Sequence, residues 1–184
     1  FMHFLFYRSK LFFLLQAGMG RNHHFDPSAV LRVHQLYALP VLLSGLSALV
    51  LSKPETGMID TCYKNTLTHL MQLHERTPDS AVFFLAGSLP GSALLHLRQL
   101  SVFSMICNLG DNILKSLSKD ILTQAKASAK SWIQDIRDLT IQYQLPHPLI
   151  LLEHPLPKVK FKQLCKMKVH EYWHAKLSRD ATLP

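Results

Sequence analysis

Apolar residues in this chain recur three and four positions apart, and no stretch alternates apolar and polar residues for long. That spacing is what helices packed on one face require, so the pattern predicts an all-α protein. Phe4–Ala17 reads as a first helix stopped by Gly18 and Gly20, followed by a loop over 20–27 (GRNHHFDP). Asp26 is placed to cap a second helix with Pro27 in its first turn, kinked at Pro40 and continuing to about Val50. Ser52-Lys53-Pro54-Glu55 is a capping box that opens a third. Its inward stripe is Ile59, Cys62, Tyr63, Thr66, Leu67, Leu70 and Leu73, and it stops before Pro78.

Ala81–Ala86 is a short apolar segment expected to be helical and buried. Beyond the Gly/Ser/Pro break at Gly87–Gly91, Leu89–Leu109 is apolar on nearly every side, which predicts a helix at the centre of the core. Asp111 would cap a helix to about Ala125, and Ser128 or Ser131 starts the next, with Trp132, Ile133, Ile136, Leu139 and Tyr143 inward. Pro146, Pro148, Pro155 and Pro157 turn the chain and mark the clearest boundary. A last helix covers Lys158 to about Ser178, burying Phe161, Leu164, Val169, Tyr172, Trp173 and Leu177. The expected fold is an irregular bundle of about seven to eight helices with a basic C-terminal helix.

Composition agrees with a packed core. The 184 residues suffice for one core or two small helical subdomains, and with 48% apolar and 17% charged residues the chain is not of a disordered type. Leu36–Leu51 holds 16 uncharged residues broken by Pro40 and Gly45. A bilayer needs roughly 20, so a buried, kinked helix is expected and no membrane span. Residues 1–18 do not read as a signal peptide, because the longer apolar stretch precedes Arg8 and Lys10. Cys62, Cys107 and Cys165 lie far apart without a C-x-x-C pair, as small core thiols of a reducing compartment do.

Charge narrows the partner. A net charge of +8 favours an anion, either nucleic acid or an acidic membrane surface. The cations cluster on the last helix at Lys158, Lys160, Lys162, Lys166 and Lys168, then Lys176 and Arg179. Such a face can neutralise phosphates and release counterions. Arg8, Lys10 and Arg21, with His23 and His24, form a second and weaker basic site. No basic segment is interleaved with aromatics in the manner of a single-strand reader, so base-specific recognition is not expected.

One segment has the spacing of a zinc hydrolase. His170-Glu171-Tyr172-Trp173-His174 is H-E-x-x-H, in which two histidines one turn apart hold the metal and the glutamate is the base. Asp180 falls where some such enzymes place a third ligand, but Leu177 replaces the glycine that turns the chain back. The histidines also share an i,i+4 row with Lys162 and Lys166, which repel a cation. A basic amphipathic helix is the simpler reading. GSLPG lacks the spacing of a nucleophile elbow, and neither a phosphate-binding loop nor a pair of adjacent carboxylates is present.

Seven segments in order carry a family resemblance: RSKLFFLLQAGMGRNHHFDP (8–27), LYALPVLLSGLSALVLSKPE (36–55), YKNTLTHLMQLHERTP (63–78), AVFFLAGSLP (81–90), LLHLRQLSVF (94–103), SWIQDIRDLTIQYQLPHP (131–148) and KVKFKQLCKMKVHEYWHAKL (158–177). Together they resemble the region after the polymerase core in reverse transcriptases of non-LTR, LINE-type retrotransposons. Ser44 and Ser47 stand where that family often has tyrosine and glutamate, and His174 departs from its basic helix ending in Tyr-Trp.

The resemblance implies a thumb-like segment over 1–53 continuing from a polymerase palm, a helical connection over 54–145, and a Pro-rich turn with a basic helix over 146–184. The palm's Ala-Asp-Asp motif and its Mg ions would lie upstream of Phe1. By this resemblance the chain is a non-catalytic fragment of an RNA-directed DNA polymerase, with no cofactor of its own. Its implied partners are RNA, DNA or RNA–DNA hybrid, held without sequence preference, and the upstream polymerase domain of the same polyprotein. The implied location is the cytoplasm and nucleus. The alternatives are a helical protein-interaction module, as a decayed or co-opted element remnant, and the zinc hydrolase on His170, Glu171 and His174.

Overall fold

The computed structural model describes residues 26–110, 113–124 and 131–182. Among these the protein is all-helical, with eight α-helices and one 3-10 turn. The expected first helix, the loop that follows it, Arg8, Lys10, Arg21 and the Asp111 cap lie outside the described residues. The chain divides into two compact units. Unit 1 runs through Leu46 and includes Lys53–Ser92 and the residues from Leu177 on; unit 2 is Ser47–Ser52 with Ala93–Lys176.

Unit 1 opens with α1 (Pro27–Leu42), capped by Asp26, whose side chain accepts the Ser28 N–H at 3.2 Å. The expected continuation to Val50 does not form. Pro40 has no N–H to return to the preceding turn, the helix ends at Leu42, and Gly45 at φ +74° carries the chain into the 3-10 turn Leu46–Ala48. Nor is the Leu36–Leu51 run buried throughout. Ala38, Leu42, Leu43 and Leu46 are inside, while Leu36, Tyr37, Leu49 and Val50 are exposed, because a helix presents only one side to a core. Among the described residues no helix is long and apolar enough to cross a membrane.

Helix α2 (Lys53–Leu70) begins at the capping box and buries Ile59, Tyr63, Thr66, Leu67 and Leu70. Cys62 and Leu73, expected on that stripe, are only half-buried. Helix α3 (Asp79–Leu85) is also half inside: Val82 and Phe83 are buried, Phe84 and Leu85 exposed. Tyr63 is the centre of this unit. Its ring stacks on His34 at 5.8 Å and on Phe83 at 6.3 Å, and its hydroxyl lies 2.7 Å from that of Ser88. Burial pushes the His34 imidazole down to about 4.

The Gly/Ser/Pro break reads out as two backbone requirements. Gly87 adopts φ +57° after α3, where a side chain would be strained. At Gly91 a Cβ would meet the Ile59 side chain at 3.0 Å and its carbonyl at 3.3 Å, so any larger residue would require Ile59 to give by a few tenths of an ångström where the next helix starts against α2. That helix, α4 (Gly91–Cys107), is capped from α2, with the Ser92 N–H donating to Asp60 Oδ1 at 2.7 Å.

Unit 2 is built on the rest of α4, which is buried or half-buried throughout except at Met105. Leu95, Leu100, Phe103 and Cys107 are its core residues. Helix α5 (Ile113–Gln124) packs on α6 (Trp132–Gln142) and α7 (Pro148–Glu153), which also pack on each other. Ser131 caps α6 and accepts the Gln134 N–H, while Trp132 donates its indole N–H to the Ser47 carbonyl at 2.8 Å. Helix α7 falls where the prolines suggest only a turn. Pro148 sits at a first helical position, where its missing N–H costs nothing, and Leu151 and Leu152 are buried behind it.

The final helix α8 (Lys158–Thr182) begins where expected and runs four residues further. Its buried stripe is Phe161, Cys165, Val169, Trp173 and Leu177, a strict i,i+4 series. Leu164 and Tyr172, expected inside, are half-buried beside it, and Cys165 takes the place that a short side chain fits. None of the three cysteines is in a disulfide; burial raises Cys107 to about 11 and Cys165 to about 12, as inert core thiols require.

Candidate nucleic-acid interface

A helix turns 100° per residue, so the stripe divides the lysines of α8 into two flanks. Lys158, Lys162, Lys166, His170 and His174 form an unbroken i,i+4 row on one side. Lys160, Lys168 and Lys176 lie on the other, alternating with Leu164 and Tyr172. The five lysines grouped from the sequence are therefore not one patch: Lys158, Lys162 and Lys166 stand together, and Lys160 and Lys168 stand apart from them.

The two flanks differ in their partners. Lys168 donates to Glu171 at 3.1 Å, and the Lys176 ammonium lies 4.5 Å over the Trp173 ring. Lys158, Lys162 and Lys166 are exposed, and among the described residues no carboxylate lies within ion-pair distance of them. Like charges one turn apart repel by about 0.2–0.5 kcal/mol per pair, which a bound anion reverses. His170 is held below its ordinary value by burial and then by the charge of Lys166.

This row borders a groove of about 200 Å³. Leu94, Leu97, Ser101 and Ser104 of α4 form one wall; Phe161 and Cys165 form the other, with Lys158, Lys162, Lys166 and His170 on the rim. The lining between the walls is almost wholly apolar, and the Ser104 hydroxyl is buried and makes no hydrogen bond.

A three-ring clamp fixes α8 against α4. The Trp173 indole N–H donates to Tyr143 Oη at 3.0 Å, and Tyr143 Oη lies 2.7 Å from His96 Nδ1. An indole N–H can only donate, so the tyrosine oxygen accepts it and keeps its own proton for His96. Burial pushes His96 down to about 4, which keeps the ring neutral and Nδ1 an acceptor. Tyr172 meets the Tyr143 ring edge-on at 5.3 Å. The sequence shows these residues only as core. The groove has one faint signal, two serines at i,i+3 (Ser101 and Ser104) in the mostly apolar second half of α4.

The H-E-x-x-H spacing does not assemble a three-ligand site. The helix continues without a turn through Asp180, which is carried about 9 Å along the axis from His174. Glu171 is engaged by Lys168. Among the described residues no group of three His, Cys, Asp or Glu side chains is placed to hold a metal. Comparison with known protein families, curated proteins and solved structures gives no match.

Proposed function

We propose that the protein binds nucleic acid through its phosphates, with the Lys158–Lys162–Lys166 row of α8 as the grip. The observation that carries this reading is the row itself: three exposed cations one turn apart, with no carboxylate in ion-pair distance among the described residues. In the setting that the sequence resembles, it would serve the thumb and post-polymerase region of a non-LTR retrotransposon reverse transcriptase, supporting the template–primer from outside the catalytic palm. The thumb-like role of the first segment belongs to the same proposal.

A salt titration of the full chain against RNA–DNA hybrid and DNA duplex tests it. Three phosphates neutralised give a log–log slope of about −2.7. Binding that is indifferent to salt contradicts a phosphate grip. A second reading, a helical protein-interaction module, draws on the exposed Ile113, Leu114 and Leu117 on one side of α5. Concentration-dependent association without affinity for nucleic acid favours that reading.

A further inference from the structure

The groove beside the lysine row is more than a gap between helices. At about 200 Å³ it is below the roughly 300 Å³ at which pockets for drug-sized ligands begin. It exceeds the roughly 150 Å³ of an apolar cavity that takes a benzene ring. Its capacity is one base-sized ring system. The walls from Leu97 and Phe161 are apolar and suit a flat heteroaromatic face. Ser104 lines the groove, is 4% exposed, and its buried hydroxyl is without a hydrogen bond. An aliphatic chain or a leucine side chain would leave that hydroxyl unsatisfied, whereas the edge of a base offers donors and acceptors to it. The rim adds cations and no carboxylate, so the occupant is apolar at one end and anionic at the other.

From these observations we infer that the groove receives one unpaired base of a single strand while Lys158, Lys162 and Lys166 hold the flanking phosphates. This rests on the phosphate-binding reading above and adds to it a preference: unpaired strand over duplex, because a base inside a duplex cannot reach the floor. The contact is sequence-tolerant, since two serine hydroxyls do not discriminate among base edges. The chain then engages a single-stranded overhang or a splayed nucleotide in preference to a closed duplex.

The test compares three probes on the full chain by anisotropy at fixed salt: a single strand, an abasic strand of the same length and phosphate count, and a blunt duplex. The intact strand is expected to bind about tenfold more tightly than the abasic one. Ser101→Phe, which fills the groove from α4, is expected to bring intact strand, abasic strand and duplex to one common affinity with the salt slope unchanged. Equal binding of intact and abasic strands by the wild type overturns the base pocket while leaving the phosphate grip standing. Loss of binding to all probes in Ser101→Phe, with unaltered helicity and melting temperature, also overturns it. Failure of the wild type to bind any strand removes both readings. Displacement of the strand by an acidic peptide with leucine anchors, but not by a mononucleotide, reassigns the groove to a protein partner.

Discussion

The two flanks of α8 carry the same residue type on either side of the same buried stripe, but on one flank two of the three lysines, Lys168 and Lys176, have partners within the protein. On the Lys160–Lys168–Lys176 side the protein supplies partners of its own, Glu171 for Lys168 and the Trp173 ring for Lys176. On the Lys158–Lys162–Lys166 side it supplies a groove. A count of lysines cannot separate the two. What separates them is the 100° turn per residue and the position of one glutamate. Charge that is already compensated contributes little to an external partner, whereas a row of like charges gains twice on binding an anion, from attraction and from relief of repulsion.

The buried histidines, one in each unit, are expected to give the largest effect. His34 and His96 stand at about 4, far below the ordinary 6.5. As pH falls through 6.5 the unfolded chain takes up protons that the folded chain refuses until about 4. The stability these residues confer is complete above 6.5 and drains away between 6.5 and 4. Each is worth on the order of 3 kcal/mol across that interval. Urea unfolding at pH 7 and pH 4.5 should show the fall, and His96→Gln should make it shallower; an unaltered pH profile in that variant contradicts a neutral, clamped His96. Next in size is Trp173→Phe, which keeps the stripe but removes the indole donor to Tyr143. It should lower stability by about 1–2 kcal/mol and weaken binding by the groove flank more than by the other.

Smaller effects sharpen the contrast. His170 sits in the row with its protonation suppressed by burial and by Lys166, and an anion opposes that suppression. Affinity should therefore rise as pH falls from 7 to 5, by roughly threefold, with much of the gain absent in His170→Gln. Glu171→Gln releases Lys168 on the opposite flank and should raise affinity by no more than about twofold. A large gain there would mean that the compensated flank is the one that meets the phosphates.

Much of the fold was legible in the sequence because it rests on local rules. Asp26 before Pro27, Ser131 before Trp132 and the capping box at Ser52 each mark a helix start that the structure contains. The errors fell where a local rule has two outcomes. In the sequence Pro40 reads as a kink and Pro148 as part of a turn, but the first ends its helix two residues on and the second opens one. The basic helix and its residues were visible as composition. Their division into two flanks depended on Cys165 rather than Leu164 occupying the stripe, a choice of packing that hydrophobicity alone does not make. The groove was not legible at all, since it is formed by side chains about 60 positions apart in the chain that leave a space.

The most direct measurement is a pair of salt titrations on RNA–DNA hybrid, one with Lys158, Lys162 and Lys166 changed to alanine and one with Lys160, Lys168 and Lys176 changed to alanine. Both variants lose three positive charges, so net charge is held constant between them. The first should lose nearly three from the slope and about a hundredfold in affinity at low salt; the second should lose less than one from the slope. Equal losses from the two variants would show that only total charge matters, and would contradict a phosphate grip confined to the groove flank of α8.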